Sequence, residues 1–172
     1  MTGVRKYALD ANIFIEAKRR YYAFALCPGF WQALVWHHKS GRLGSVDKVR
    51  KELEEGADEL AKWVEDVLPS SFFASTNTPN VVGSFARMVS WVQSQPQFYP
   101  EAKAEFAAGT DGWLIAHAKA NGLVVVTHEV LAPDAHKRVP IPNVCQAFGV
   151  NYVDTFRMLI ELGTRFTWAP PT

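Results

Sequence analysis

Cysteine is nearly absent from this chain. Only Cys27 and Cys145 occur among its 172 residues, and they form no CxxC pair. That excludes a disulfide framework and leaves two reduced, buried thiols in a cytosolic protein as the expectation. No apolar run approaches the ~20 residues that a membrane-spanning helix needs. Met1–Lys6 carries no signal-peptide core ahead of the first strand. Charge of either sign is scarce in excess: the formal net charge is +1. There is no bulk attraction to nucleic acid, so any such binding must come from a local patch. The phosphate loop GxxxxGK[ST], the zinc-protease HExxH and the nucleophile elbow GxSxG are all missing. NTPase, zinc protease and α/β-hydrolase readings lose their support with them. Repeats and low-complexity segments are missing too.

What is present is ordinary in bulk. The composition is 48% hydrophobic and 20% charged, as in a soluble globular protein. The length allows one domain with a real core. The aromatic content of 13%, with six tryptophans, is the one unusual number.

Short β-like runs alternate with longer helical patterns, the signature of a parallel sheet covered by helices. Val4–Leu9 reads as the first strand and Ala11–Lys18 as a short helix. A helix opens at Cys27-Pro28-Gly29-Phe30-Trp31, with Pro28 suited to its first turn, and ends at Gly41–Gly44. Ser45 is then expected to cap a helix carrying Val46, Val49 and Leu53 on one face. Ala57–Leu68 reads as a helix, Ser71–Ser75 as a strand, Asn80–Gln93 as a helix, and Glu101–Ala108 as a turn or two more. Thr110 is expected to cap Asp111–Asn121, which Gly122 terminates. Leu123–Thr127 (LVVVT) is the clearest buried strand. A loop with three prolines, Glu129–Pro142, leads to a helical piece at Val144–Phe148, a strand at Asn151–Val153 and a last helix at Asp154–Leu162. No linker divides the chain, so residues 1–172 are expected to form a single domain, with residues 166–172 frayed.

Four acids stand where chemistry is done in such a fold. Asp10 ends the first strand and Glu129 lies just beyond LVVVT. In a parallel sheet those ends point the same way, toward the ligand crevice. Asp111 is in the first turn of a helix whose Leu114, Ile115 and Ala118 face the sheet. Glu52 lies beside Val49 and Leu53 and borders a buried stripe. Each has a plain structural reading as well. Asp10 can cap the next helix, Asp111 can serve the helix dipole, Glu52 can belong to a solvated run, and Glu129 can be a loop acid. Taken together, four carboxylates converging over one sheet edge repel one another and are costly to desolvate. Such a cluster calls for a cation, and all-oxygen ligands without His or Cys suit Mg²⁺ or Mn²⁺.

The remaining candidates are weaker. Lys18-Arg19-Arg20, Arg42, Lys48, Arg50 and Lys51 are the basic residues nearest the crevice, where Arg19, Arg20 and Lys48 are candidates for holding a phosphate backbone. A solvated surface explains them equally. Tyr21-Tyr22-Ala23-Phe24, with Phe30, Trp31 and Trp36, reads as core packing or a partner groove. His128 reads as a loop histidine, and His117 as packed or hydrogen-bonded in its helix. His37 and His38 share one helix without an i, i+4 metal partner.

Asp10-x-Asn12 after a strand, Val49-x-x-Glu52-Leu53, Asp111-x-x-Leu114-Ile115-x-x-Ala118 and Val125-Val126-Thr127-x-Glu129 occur in the order and approximate spacing of PIN domains. The chain resembles that superfamily over nearly its whole length. Cys27-Pro28-Gly29-Phe30-Trp31, Thr110-Asp111-Gly112-Trp113-Leu114-Ile115 and Ile141-Pro142-Asn143-Val144-Cys145 are similar to a PIN-like group of bacterial and archaeal proteins. The resemblance implies a Rossmann-like α/β/α sandwich with a central, mainly parallel sheet. It also implies a Mg²⁺- or Mn²⁺-dependent ribonuclease. The family's three main metal-binding acids map onto Asp10, Glu52 and Asp111. Its fourth acid, usually Asp, maps onto Glu129. Asn12 and Thr127 match polar positions that support the site. The family includes toxins of VapBC-type modules, so the resemblance further implies an antitoxin partner and a possible homodimer.

The expected function is therefore a cytoplasmic metal-dependent endoribonuclease, the toxin of a type II module. Two alternatives stand beside it. Asp10-x-Asn12 is loosely similar to the DxD of haloacid-dehalogenase-type phosphatases, although the lysine those enzymes need is not evident. A PIN-like fold kept as a non-catalytic binding module is the other.

Overall fold

The computed structural model describes residues 3–172. Five short strands form one sheet: β1 (Tyr7–Leu9), β2 (Leu43–Val46), β3 (Phe73–Ala74), β4 (Val124–Val126) and β5 (Tyr152–Val153). Their order is β3-β2-β1-β4-β5, and every neighbouring pair is parallel. The chain moves outward from β1 to β3, then returns to lay β4 on the other side of β1. The strand order thus reverses between β1 and β4, and ligand crevices form at the carboxyl ends of strands at such a switch point.

Nine α-helices connect and follow the strands among the described residues: α1 (Ala11–Glu16), α2 (Pro28–Lys39), α3 (Asp47–Glu55), α4 (Glu59–Val67), α5 (Pro79–Ser94), α6 (Pro100–Ala108), α7 (Asp111–Asn121), α8 (Ile141–Phe148) and α9 (Thr155–Glu161). Crossovers between parallel strands are right-handed as a rule, and with this strand order the rule puts the helices before β3 on one face and those leading to β4 and β5 on the other. The result is a three-layer α/β/α sandwich. All residues of β1 and β4 are buried, as are Leu114 and Ile115 of α7 and Val49 and Leu53 of α3. Strands covered on both faces read as continuous apolar runs, and VVV in β4 does so. None of the helices is long and apolar enough to cross a membrane.

Most expected elements are present with shifted ends. The first strand is confined to Tyr7–Leu9, and a π turn, Ala17–Tyr21, extends α1. Gly122 ends α7 in the left-handed conformation, φ 64°. The tail after α9 has no helix or strand, although the Phe166 ring lies 5.5 Å from that of Tyr22.

Two expectations are overturned. Ser45 does not cap a helix; it lies in β2, a strand unrecognised in the sequence. Its buried hydroxyl donates to the Leu9 carbonyl at 2.6 Å, joining β2 to β1. A side chain at Gly44 would meet the Phe72 carbonyl oxygen at 2.9 Å, so the run is Leu-Gly-Ser-Val because the chain beside β2 passes too close for a Cβ. Thr110 also fails to cap α7: its backbone is already helical and its side chain makes no capping bond.

Candidate metal centre

Asp10 leaves β1 with its backbone N–H donating to the Val126 carbonyl at 3.0 Å. This carries the β1–β4 pairing one residue further and clamps Asp10 over the switch point. It occupies the N-cap position of α1, yet its side chain makes no capping hydrogen bond. The helix-cap reading therefore does not account for it. Only 3% of its surface is exposed. Burial is the largest influence on its carboxyl group, followed by repulsion from Asp111, Glu129 and Glu52. Together they push its pKa up to about 8, with the Asn12 backbone N–H pulling the other way. Thr127, buried at the end of β4, directs its hydroxyl at Asp10 Oδ2 over 3.4 Å. The same hydroxyl accepts from the Glu129 backbone N–H at 3.1 Å. A single threonine thus ties the two strand-end acids.

Asp111 begins α7, and Gly112 after it is set by crowding. A Cβ there would stand 2.9 Å from the Phe85 ring and 3.0 Å from that of Phe106. The close approach of α5 and α6 fixes where α7 starts and so where the Asp111 carboxylate sits. Burial first, and Glu129 second, push Asp111 up to about 6, while Arg138 pulls it down. Asp10, Asn12, Glu52, Asp111 and Arg138 line one cleft of about 250 Å³. Glu52, exposed on α3, stands between that cleft and a neighbouring cavity of about 180 Å³ that Arg19 lines.

Glu129 is placed differently. Its Oε1 accepts from the Arg138 guanidinium and its Oε2 from the Ile141 backbone N–H at 2.7 Å. Ile141 opens α8, so this carboxylate sits at a helix N-terminus, where a negative charge is favoured. Arg138 also lies 3.6 Å from Asp111 Oδ2. Besides Glu105 of α6, which also lines the cleft, Arg138 is the site residue that the sequence did not reveal. It stands in an irregular loop, 27 residues from Asp111, and no periodic pattern marks it.

The other basic candidates divide. Arg20 pairs with Glu16. The Lys48 ammonium lies 5.4 Å from the centre of the Trp113 ring. Arg19 is exposed beside Glu52 at the rim of the smaller cavity. His128 makes a 3.1 Å hydrogen bond with the Thr155 hydroxyl, as a structural loop histidine would. Phe30 and Trp31 are buried core, whereas Trp36 is largely exposed. Both cysteines are free; Cys145 is buried and Cys27 partly so.

Residues 7–166 match the family described as Domain of unknown function (DUF4411). The chain belongs to that family. No match is found among curated proteins. Among solved structures, this DUF4411 chain is similar to FitAcB from Neisseria gonorrhoeae, with a TM-score of 0.54 and 18% identity, over 85% of this chain and 95% of that one. At that identity the likeness speaks for the fold, and the fold is PIN-like.

The donor set suits a hard divalent cation: the cleft lining includes the carboxylates of Asp10, Glu52, Glu105 and Asp111 and no His or Cys, and their mutual repulsion is what such an ion relieves. Among the described residues, no three His, Cys, Asp or Glu side chains stand close enough together to hold one ion. Binding would have to draw the acids inward, and Arg138 already holds two of them.

Proposed function

We propose that this DUF4411 protein is a Mg²⁺- or Mn²⁺-dependent endoribonuclease of PIN type, acting as the toxin of a type II toxin–antitoxin module. The observation that carries the reading is Asp10. It is buried at the β1–β4 switch point, without a capping role, and burial plus three surrounding acids make it a weak acid. A fold does not keep so costly a group without a use, and perturbed carboxylates in clefts mark functional sites.

Asp10, Glu52 and Asp111 would hold the ion, with Glu129 assisting. When bound, such an ion supplies an activated water and stabilises negative charge on the leaving oxygen of a phosphodiester. The chain's own residues do the rest. Thr127 and the backbone bond to Val126 fix Asp10, Gly112 sets the start of α7, and Asn12 offers a polar side chain in the cleft. Arg19 stands beside Glu52, where an RNA phosphate entering from that side would meet it.

The phosphatase alternative gains nothing here, because the cleft lining contains no lysine among the described residues. The antitoxin is part of the proposal. An apolar groove of about 340 Å³, lined by Trp31, Val35, Trp36, Trp63 and Val67, offers a surface for a protein partner. Co-purification with the product of an adjacent gene tests that part.

The main test is cleavage of RNA by the purified protein with Mn²⁺ or Mg²⁺, beside Asp10→Asn and Asp111→Asn. Cleavage by the unaltered protein alone is expected. Equal cleavage by all three would refute the proposal. Tight partner binding without Mn²⁺ binding would instead favour a non-catalytic module.

A further inference from the structure

Arg138 is 55% exposed, yet it is engaged on both sides. One guanidinium nitrogen reaches Glu129 Oε1 and lies 3.6 Å from Asp111 Oδ2. It also lines the cleft that Asp10 and Glu52 share. Glu129 differs from the other acids in being satisfied on both oxygens, by Arg138 and by the Ile141 N–H. The loop from Glu129 to Pro140 therefore bends back and places a positive charge from the chain itself between Glu129 and Asp111, at the cleft that Asp10 and Glu52 line.

We infer that Arg138 is an internal counter-cation that competes with the divalent ion for Asp111 and Glu129, and so sets how tightly this protein binds metal. The inference rests on the metal-centre reading above and deepens it. A guanidinium binds carboxylates through directional hydrogen bonds and cannot lose its charge. It cannot bridge four acids as an ion can. To draw Asp111 toward Asp10 and Glu52, the ion must first release Asp111 from Arg138. Glu129 keeps its Ile141 bond when Arg138 leaves, so one anchor of the loop survives the exchange. The freed guanidinium remains at the cleft mouth, where a substrate phosphate would arrive.

This makes a prediction of unusual sign. Removing a residue that lines a binding site normally weakens binding. Removing a competitor strengthens it. The ion pairs are partly exposed, so each is worth little and the gain is modest, about five- to tenfold in Mn²⁺ affinity.

The experiment is calorimetric titration of Mn²⁺ into the full chain and into Arg138→Gln, Arg138→Lys and Asp10→Asn, with circular dichroism to check folding. Expected results are binding by the unaltered chain, tighter binding by Arg138→Gln, near-original affinity in Arg138→Lys, and loss in Asp10→Asn. If Asp10-dependent binding is seen but Arg138→Gln binds equally or more weakly, Arg138 is no competitor and the metal centre still stands. If no Asp10-dependent Mn²⁺ binding is found, the metal centre fails and this inference falls with it. Should Arg138→Gln misfold, Arg138→Met replaces it and is judged by the same outcomes.

Discussion

Replacing Asp10 by Asn should stabilise the protein above neutral pH, although it removes the residue on which the proposed chemistry depends. The folded-state pKa of about 8, against an ordinary value of 3.8, is a rise of roughly 4 units. At 1.36 kcal/mol per unit, the ceiling is on the order of 6 kcal/mol. The raised pKa of Asp111 shares part of that, and water entry and relaxation reduce it further, so a gain of about 2 kcal/mol at pH 8 is expected. The sign follows from linkage. A carboxyl with a raised folded pKa holds its proton more tightly when folded. Stability is therefore highest below its ordinary pKa and falls as pH rises from about 4 to about 8. Asparagine does not titrate, so the variant should gain at pH 8 and differ little near pH 4. For a domain of this size, 2 kcal/mol is a Tm rise of about 4–8 °C. Thermal melts in EDTA at pH 4.5, 6.5 and 8 would measure it. Saturating Mn²⁺ should reverse the order, since an ion at 100 times its Kd adds about 2.7 kcal/mol to the unaltered protein alone. A variant that melts at or below the unaltered protein at pH 8, or gains equally at every pH, would refute the electrostatic argument.

Two further substitutions test how the site is held. Thr127→Val removes the acceptor for the half-buried Glu129 N–H and should cost about 1 kcal/mol. Faster hydrogen exchange at the Glu129 amide should accompany it, and unchanged exchange would count against the bridging role. Gly112→Ala forces a Cβ against the Phe85 and Phe106 rings, with an overpacking cost of about 1–3 kcal/mol. It should also weaken Mn²⁺ binding by displacing Asp111, and a Tm and affinity equal to those of the unaltered chain would show that α7 tolerates the shift.

The sheet was legible because its two central strands announce themselves. VVV in β4 and the apolar run before Asp10 need no tertiary information, and they carry the switch point with them. β2 was not legible, for a physical reason. Leu43-Gly44-Ser45-Val46 follows the left-handed Gly41 and precedes a helix, so local preference favours a turn and a cap. Pairing with β1 on one side and β3 on the other, with the Phe72 carbonyl against Gly44, makes it a strand. The four acids could be named because each lies in, or just beyond, a recognisable element. Arg138 could not, because a proline-rich loop has no period to read and its partners are set by where the loop returns.

The acids at this site are unequal, and that inequality bears on function more than their number. Glu129 is hydrogen-bonded by Arg138 and by the backbone N–H at a helix N-terminus, and that much would suit a structural anchor for the loop. Asp10 has nothing comparable: no positive group, only the Asn12 backbone N–H and a distant threonine hydroxyl against three like charges around it. An anchor would be stable where it stands, as Glu129 is. Asp10 stands where its ionised form is disfavoured until something positive arrives. A divalent ion is small enough to enter and carries charge enough to reverse that balance. The same argument explains why Arg138 does not suffice: it reaches the two acids farther along the loop and helix and leaves Asp10, the most buried of the four, without a positive partner.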